Sequence, residues 1–206
     1  MVHGDDKGLK IPPRIAPHQV VIIPINSKNE DKEKFDNFVD TAHNMLKDGN
    51  IRCSIDDSNN SPGFKFNNWE LKGAPLRIDI GLKEFQSGNV TVCRRDTGEK
   101  LEMSINMLDT LTSTLEEIQK GMYDSANNFL QENTFELYDY NEFKKLLSKE
   151  NCFIKAYWDG SDISELKVKE QTKATIRCIL EDVNDPNLKC IFSGEPAKHL
   201  VVFCLL

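Results

Sequence analysis

Residues 20–25 read Val20-Val21-Ile22-Ile23-Pro24-Ile25, an uninterrupted apolar run rich in β-branched side chains. A run that is apolar at every position is typical of a strand covered on both faces, as in the centre of an α/β sheet. Residues 30–48 then change to helical spacing, and residues 51–55 form a second strand-like run. This order, over about 35 residues, predicts a right-handed parallel β–α–β crossover.

The residues on either side of this crossover extend the first domain. Residues 67–73 predict a short helix ended by glycine, and Leu76–Ile80 alternates apolar and charged residues, which predicts a half-exposed strand. Another strand is predicted over 90–95, followed by a tight turn, and a long amphipathic helix over 103–131. Together these elements predict an α/β domain with a mixed sheet flanked by three helices.

A second module follows in the chain. Its spacing predicts alternating short helices and strands, which is typical of a small α+β domain. The predicted helices cover 139–149 and 162–171, and the predicted strands cover 152–157, 174–180, 189–192 and 200–204. Residues 1–19 carry prolines at 12, 13 and 17, which favour extended backbone and predict a linker or the end of a preceding domain.

Composition narrows the class of protein. The chain has 206 residues, 39% of them hydrophobic, so it can bury a core and is not intrinsically disordered. No apolar stretch approaches the roughly 20 residues that a membrane-spanning helix needs, and no secretory signal is recognisable. Six cysteines occur without CxxC spacing, which favours reduced, buried thiols over disulfides. We therefore expect a cytoplasmic protein with no membrane partner.

Charge is unevenly distributed along the chain. The net charge of −7 argues against a nucleic-acid partner for the molecule as a whole. Residues 60–100, however, hold 7 basic and 5 acidic side chains, whereas the segments before and after are net acidic. This local excess is consistent with a small phosphate-contacting surface on an acidic body.

Residues 62–100 hold the densest group of candidate functional side chains. Phe66 and Trp69 offer flat faces for an unstacked base, and carboxylates can accept hydrogen bonds from the Watson–Crick edge of guanine. The candidates for phosphate or guanine contacts are Lys72, Arg77, Lys83, Arg94 and Arg95, with Glu70 and Glu84 as the carboxylates. The same pattern also fits a solvated sheet face with Trp69 covering the edge of a core, and residue types alone favour that interpretation.

Four ordered motifs resemble the C-terminal half of prolyl-tRNA synthetase of the archaeal and eukaryotic type. They are Gly4-Asp-Asp-Lys-Gly-Leu-x-x-Pro-Pro-Arg-x-Ala-Pro17, Lys65-Phe-Asn-x-Trp-Glu-Leu-Lys-Gly-x-Pro-Leu-Arg-Ile78, Arg94-Arg-Asp-Thr-Gly-Glu-Lys100 and Cys190-x-x-Ser-Gly-x-Pro-Ala-Lys198. The resemblance covers nearly the whole chain. It implies the end of an upstream catalytic domain over 1–16, a class II anticodon-binding domain with a five-stranded sheet over 17–126, and a small C-terminal α+β domain over 127–206.

The resemblance also implies a function. Such a fragment would recognise the anticodon loop of tRNA(Pro), whose two invariant bases are guanines. The parent enzyme attaches proline to tRNA with ATP and Mg²⁺ bound in its catalytic domain, so this chain is expected to hold no catalytic residue and no cofactor and to be inactive alone. The parent is expected to be a homodimer through that domain and the fragment a monomer, with no DNA partner.

Site residues follow from the matching motif positions. Glu70 and Arg77 match anticodon-reading positions, and Lys83 and Glu84 keep the charge signs of the family's next reading motif. Because lysine replaces an arginine fork there, bidentate readout is weakened. The expected contacts to the tRNA backbone, or in part structural ion pairs, are Lys65, Lys72, Arg94 and Arg95, with Trp69 as a stacking surface.

The C-terminal domain departs from the family pattern. Many members bind zinc there through four cysteines, and the matching positions in this chain are Asp159, Ser164, Cys190 and Phe192. One thiolate, one carboxylate, one hydroxyl and one ring do not make a tetrahedral structural zinc site. We therefore predict no zinc, with apolar packing by Phe192 in its place.

Two other interpretations stay open. A stand-alone adaptor that uses an anticodon-binding-like fold for protein interaction fits the acidic second domain. A zinc or thiol enzyme is a third alternative, but the degenerate zinc positions and the four scattered histidines give it no local support.

Overall fold

The computed structural model of the protein describes residues 2–25, 32–106 and 108–205. The chain divides into two compact units, Met1–Ala126 and Asn127–Leu206. The first two residues of the helix predicted over 30–48 lie outside the described ranges. Residue 107, within the helix predicted over 103–131, also lies outside them.

The first unit is built on a mixed sheet. Its elements in chain order are β1 (Gly4–Asp5), β2 (Gly8–Leu9), β3 (Val20–Pro24), α1 (Lys32–Asp48), β4 (Cys53–Ile55), α2 (Pro62–Lys72), β5 (Leu76–Ile80), α3 (Leu82–Ser87), β6 (Asn89–Arg94), β7 (Lys100–Ser104) and α4 (Leu108–Glu132). Strands β1 and β2 form a separate hairpin, and the main sheet has the order β4-β3-β5-β6-β7. β3 is parallel to its two neighbours, β4 and β5. The pairs β5–β6 and β6–β7 are antiparallel. The predicted five-stranded mixed sheet is confirmed.

Both faces of β3 are covered, which explains its apolar sequence. Val20 and Ile22 pack with side chains of α1 and α4 in the main core, whereas Val21 and Ile23 pack with Phe66 of α2 on the other face. Because neighbouring residues of a strand point to opposite sides, a strand between two helical layers must be apolar throughout. Helices α1 and α4 therefore cover one face and α2 covers the other.

The sequence prediction for β5 was wrong in one respect. Its alternation predicted a half-exposed strand, but every residue of Leu76–Ile80 is buried. Arg77 and Asp79 are each only 7% exposed. These two charged side chains neutralise each other, so a charged face of the strand can lie within the molecule.

Several other elements differ from the sequence prediction; α2, for example, begins at Pro62 rather than at residue 67. The unit has four helices within its described residues, because α3 follows β5 directly behind Gly81. The long helix begins at Leu108, since Lys100–Ser104 pairs with β6 as an edge strand with alternating exposure. Residues 189–192 form a turn held by a single bridge between Lys189 and Pro196.

The second unit is an α+β fold around a four-stranded sheet. Its elements are β8 (Thr134–Glu136), α5 (Tyr140–Leu147), β9 (Phe153–Trp158), α6 (Asp162–Thr172), β10 (Ala174–Asp182) and β11 (His199–Leu205). The strand order is β10-β11-β9-β8. Its own core contains Phe143, Ile154 and Phe203, all fully buried. None of the helices in the described ranges is long and apolar enough to cross a membrane.

Candidate functional site

A cleft of about 550 Å³ lies in the first unit between α2 and the polar face of the antiparallel strands. Six residues singled out in the sequence line it: Phe66, Trp69, Glu70, Arg77, Arg94 and Arg95. Asp5, Lys7, Lys10, Cys93 and Lys100 line it as well. The cleft therefore collects aromatic, acidic and basic side chains from α2, three strands and the N-terminal segment.

Helix α2 has well-defined ends that fix its position in the cleft. The Ser61 side chain accepts a hydrogen bond from the Phe64 N–H (3.4 Å), and Pro62 occupies the first turn, where no backbone donor is needed. Gly73 ends the helix at φ 74°, and its N–H donates to the carbonyls of Trp69 and Glu70. The spacing of Phe66, Trp69 and Glu70 then places them on one helix face.

Arg77 forms the floor of the cleft. Its guanidinium donates to both carboxylate oxygens of Asp79 (2.8 and 3.3 Å) and to Glu70 (3.4 Å), and lies 4.0 Å from the Phe66 ring centroid. Burial raises the pKa of Asp79, with Arg77 opposing, and burial also acts to lower the pKa of Arg77. The hydrogen bonds with Asp79 and the attraction of nearby negative charges, Asp79 and Glu70 among them, together outweigh that effect and raise the pKa of Arg77, so it stays cationic and holds the Glu70 carboxylate in place.

Strand register extends this polar face across the sheet. Arg77 lies opposite Cys93, which lies opposite Lys100; in the next row, Asp79 lies opposite Thr91. Directly opposed residues of antiparallel strands point to the same side. The Thr91 hydroxyl donates to Glu84 (3.1 Å), which brings the α3 carboxylate to this face.

Lys83 reaches the same side of the sheet. Its ammonium lies 3.8 Å from the carboxylate of Glu102, which is opposite Thr91 in the register, and its side chain is 79% exposed. The structure therefore brings the four residues predicted to read the anticodon, Glu70, Arg77, Lys83 and Glu84, to one face of the sheet. Only Glu70 and Arg77 of these four line the cleft.

Glu84 also has a structural role. Its carboxylate accepts from the Gly81 N–H (3.1 Å) and thereby caps α3. Burial acts to raise the pKa of Glu84, but hydrogen bonds from its own and the Gly81 backbone N–H and from the Thr91 hydroxyl lower the pKa overall. Both oxygens already have partners, so any ligand contact by Glu84 competes with this cap.

Three of the four candidate backbone-binding cations are held in ion pairs. Lys65 is buried outside the cleft, where its ammonium lies 3.9 Å from the Asp56 carboxylate and donates to the Asp56 carbonyl (2.8 Å). Arg94 and Arg95 each bind a carboxylate through two nitrogens, those of Asp96 and Asp5 respectively, and Arg94 also donates to Glu117 (3.5 Å). Lys72 is exposed, with its ammonium 4.3 Å from the centroid of the Trp69 ring. The Trp69 indole N–H donates to Asp56 (2.7 Å), so this ring is anchored at the cleft edge rather than free.

Two exposed lysines of the cleft were not chosen from the sequence. Lys100 continues the Arg77 row to the sheet edge, and Lys7 comes from the segment predicted as a linker. Both are exposed, and within residues 2–25, 32–106 and 108–205 neither ammonium has a carboxylate ion-pair partner within 4.0 Å. The strand register would have indicated Lys100 once β7 was recognised; no local pattern indicated Lys7.

In the second unit, two of the residues at the degenerate zinc positions, Asp159 and Ser164, are hydrogen-bonded to each other. The Asp159 carboxylate accepts hydrogen bonds from the hydroxyls of Ser164 and Ser193, both at 2.6 Å, and from the Ser161 N–H at 2.9 Å. Burial acts to raise the pKa of Asp159, but these hydrogen bonds lower it overall. Across the part of the chain that the structure describes, no cluster of three or more His, Cys, Asp or Glu side chains could hold a metal ion.

Phe192 occupies the remaining position by packing rather than ligation. Its ring meets Tyr140 edge-on, with 5.1 Å between ring centroids, at the edge of the second core. Cys190 is buried. These four residues therefore do not fit a structural zinc ion, because the carboxylate is already bonded and a single thiolate remains.

Comparison with known proteins agrees with the two-unit architecture. Residues 19–114 match the family model "Anticodon binding domain", and residues 140–204 match "Prolyl-tRNA synthetase, C-terminal". Over 205 residues, 98% of the chain, it is 40% identical to a proline–tRNA ligase of Amoebophilus asiaticus and 42% identical to one of Cytophaga hutchinsonii. A proline–tRNA ligase of Natranaerobius thermophilus is 43% identical over 181 residues.

The match covers only part of these relatives. The chain spans 42% of the length of the first two ligases and 37% of the third, which agrees with a C-terminal region. A segment that matches an anticodon-binding domain is thus followed by one that matches the C-terminal domain of prolyl-tRNA synthetase. The chain thus matches both C-terminal domain models, and it is similar to the C-terminal part of prolyl-tRNA synthetases.

Proposed function

We propose that this chain recognises the anticodon loop of tRNA(Pro) in the cleft between α2 and the polar sheet face. The observation that carries the proposal is the Glu70 carboxylate, held by Arg77 at the cleft surface within the anticodon-binding domain. A carboxylate so oriented can accept two hydrogen bonds from the Watson–Crick N–H groups of a splayed guanine. Arg77 acts by holding Glu70, and Lys100, Lys83 and Lys72 supply cations for guanine acceptors or phosphates.

The proposal includes the context of the chain. Residues 17–126 would act as the anticodon-binding domain and residues 127–206 as its C-terminal partner, with residues 1–16 as the end of a catalytic domain. That domain would attach proline to tRNA with ATP and Mg²⁺ and would form the homodimer. The 206-residue chain itself would be a cytoplasmic monomer without ligase activity, zinc, DNA or membrane partners.

A carboxylate-to-amide exchange at Glu70 tests the site. Glu70→Gln keeps the shape of the side chain but turns one acceptor into a donor, which opposes the guanine N–H groups. We expect an anticodon stem-loop with the two proline guanines to bind about tenfold more weakly, the equivalent of about 1.4 kcal/mol. Fluorescence anisotropy with the 206-residue chain measures this.

The control keeps the charge change but moves it away from the cleft. Asp124→Asn on the exposed side of α4 should leave affinity unchanged. The proposal also requires that replacing the two guanines with adenines weakens binding to the unaltered chain. The assignment of Glu70 would be contradicted by equal affinity of the unaltered chain for both loops. It would also be contradicted if Glu70→Gln and Asp124→Asn had equal effects on affinity.

A protein-interaction module is the second candidate, because α6 exposes Ile163 (66%) and Leu166 (57%) three residues apart on one face. Ionic strength separates the two functions. Contacts to phosphates release counterions, so RNA affinity falls steeply as salt rises, by about 0.7 in log K per log salt for each single-stranded phosphate contacted. Apolar association has no such dependence.

A further inference from the structure

The N-terminal segment forms one wall of the cleft. Strands β1 and β2 pair in register, Gly4 with Leu9 and Asp5 with Gly8, and the Lys10 N–H donates to the His3 carbonyl (2.8 Å). Asp5, Lys7 and Lys10 of this hairpin line the cleft. These residues precede the matched anticodon-binding range, which begins at residue 19.

The hairpin is packed directly against the end of α2. A Cβ at Gly8 would lie 2.5 Å from the Leu71 Cα, and one at Gly73 would lie 2.7 Å from Leu9. The Ile11 N–H donates to the Gly73 carbonyl (3.2 Å). Backbone meets backbone here because neither glycine has a side chain, so the wall has a defined position relative to the helix that carries Glu70.

Arg95 joins this wall to helix α2, through an ion pair with Asp5 and a hydrogen bond to the backbone of Glu70. The Arg95 guanidinium donates to the two Asp5 oxygens at 2.6 and 2.9 Å, and its Nε donates to the Glu70 carbonyl at 3.1 Å. Arg95 is 9% exposed. The hydrogen bonds from Arg95 hold the pKa of Asp5 well below its usual range, so the pair stays charged near neutral pH.

The rest of the segment is fastened as well. Arg52 donates to the carbonyls of Pro13 and Ala16, both at 2.8 Å, and the Arg14 backbone N–H donates to the Gln119 side chain at 3.0 Å. Residues 4–16 are therefore a fixed part of the first unit. A fixed lysine costs less entropy to engage than one on a free tail.

Lys7 presents the exposed charge of this wall. Its backbone N–H donates to Asp5 (2.9 Å), which fixes the turn, while its side chain is exposed at the cleft. We propose that residues 4–10 form a second, phosphate-binding wall of the RNA site, with Lys7 as the contacting cation and the Asp5–Arg95 pair as the positioning contact. This inference rests on the proposed anticodon recognition and adds to it a binding element outside the matched domain.

Removing one charge tests the phosphate contact. Lys7→Met is compared with Lys120→Met, which makes the same change on the exposed side of α4. The probes are the proline-guanine stem-loop and the same loop with adenines, titrated over a range of KCl concentrations. A phosphate contact carries no base information, so Lys7→Met should weaken both loops by the same factor and reduce the salt slope by about 0.7, with no change for Lys120→Met.

The outcomes separate the two proposals. If the unaltered chain prefers the guanine loop but Lys7→Met has the affinity and salt slope of Lys120→Met, the wall is overturned and anticodon recognition stands. If the unaltered chain binds neither loop, both proposals fall. Because Lys7 is exposed, loss of folding does not confuse this comparison.

The positioning role of Asp5 is tested by the affinity ratio between the two loops, which a change in protein stability alone would not alter. Asp5→Asn releases Arg95 and with it the Glu70 backbone, so we expect the affinity ratio between the guanine and adenine loops to fall severalfold. Asp5→Glu keeps the carboxylate and should restore the ratio. A ratio unchanged in Asp5→Asn would overturn the positioning role.

Discussion

At the scale of single residues, Arg77 shows how one side chain serves both the fold and the site. It lies two residues from Asp79 on the same face of β5, and the two are buried together. An isolated buried charge is costly, whereas a hydrogen-bonded pair is tolerated. The pairing with Asp79 therefore allows Arg77 to be buried on this face of the sheet, where Arg77 orients Glu70 toward the cleft.

We expect Asp79→Asn to be strongly destabilising. The amide cannot neutralise Arg77, whose remaining carboxylate partner is then the more exposed Glu70 at 3.4 Å, and breaking a buried pair costs about 3–5 kcal/mol. Urea unfolding at neutral pH measures the loss. The double variant Arg77→Met/Asp79→Leu should recover much of it, because it removes both charges.

An exposed pair provides the comparison. Arg14 and Glu116 are 3.0 Å apart, with both side chains more than half exposed. Glu116→Gln should change stability by less than about 1 kcal/mol. Similar losses for Asp79→Asn and Glu116→Gln would mean that burial of the Arg77 pair does not set its importance.

The family motifs indicated several of the side chains that line the cleft, but they did not predict what surrounds these side chains. The motif around Trp69 and Glu70 indicated a site, and its residues do line the cleft. The burial of Arg95 could not be predicted, because its partner Asp5 is 90 residues away in the sequence. Ion pairs that close long loops leave no local pattern.

At the scale of elements, the end of α2 determines how the N-terminal hairpin packs. Gly73 has φ 74°, a conformation that favours glycine, and its missing side chain leaves room for Leu9. Gly63, near the start of the same helix, has no atom within 4 Å of its missing Cβ. The two glycines therefore have different physical reasons to be there.

Alanine at these two positions should shift stability in opposite directions. Gly73→Ala forces a side chain into Leu9 and a disfavoured φ, so we expect a loss of about 1–3 kcal/mol. Gly63→Ala reduces the entropy of the unfolded chain at no steric cost and should stabilise by about 0.4–1 kcal/mol. Urea midpoints for both variants test this, and a Gly73→Ala protein as stable as the parent would refute the close packing of hairpin and helix.

Long periodic elements were predictable and short ones were not. The apolar run of β3 and the stripe of α1 identified the crossover, because burial on a helix or strand face repeats along many residues. Helix α3 has six residues and none is buried, so it leaves no stripe. The edge strand β7 joins a polar face, and its sequence fits the start of a helix equally well.

At the scale of the whole molecule, each unit has its own apolar core. The second unit has no metal-ligand cluster in its described residues, and an Asp159-centred hydrogen-bond network joins the end of β9, the start of α6 and the turn at residues 190–194. The network offers an alternative to a metal ion as the link between these segments. We therefore expect the chelator EDTA to leave the melting temperature of the protein unchanged. A lower melting temperature in EDTA would contradict the interpretation that hydrogen bonds replace a metal ion here.

The same network makes stability depend on pH in a defined direction. Hydrogen bonds lower the pKa of Asp159 in the folded state, so its contribution is present above the unfolded pKa near 4 and is lost as pH falls through the lower folded value. Asp159→Asn should cost about 1.5–3 kcal/mol at pH 7, because hydrogen bonds to a charged acceptor are lost, and the gap to the parent should narrow below about pH 4. Glu170→Gln, an exposed change on α6, should show no such gap at any pH. Urea unfolding between pH 3 and 7 measures both, and an Asp159→Asn deficit that stays constant on acidification would show that the carboxylate charge does not hold these segments together.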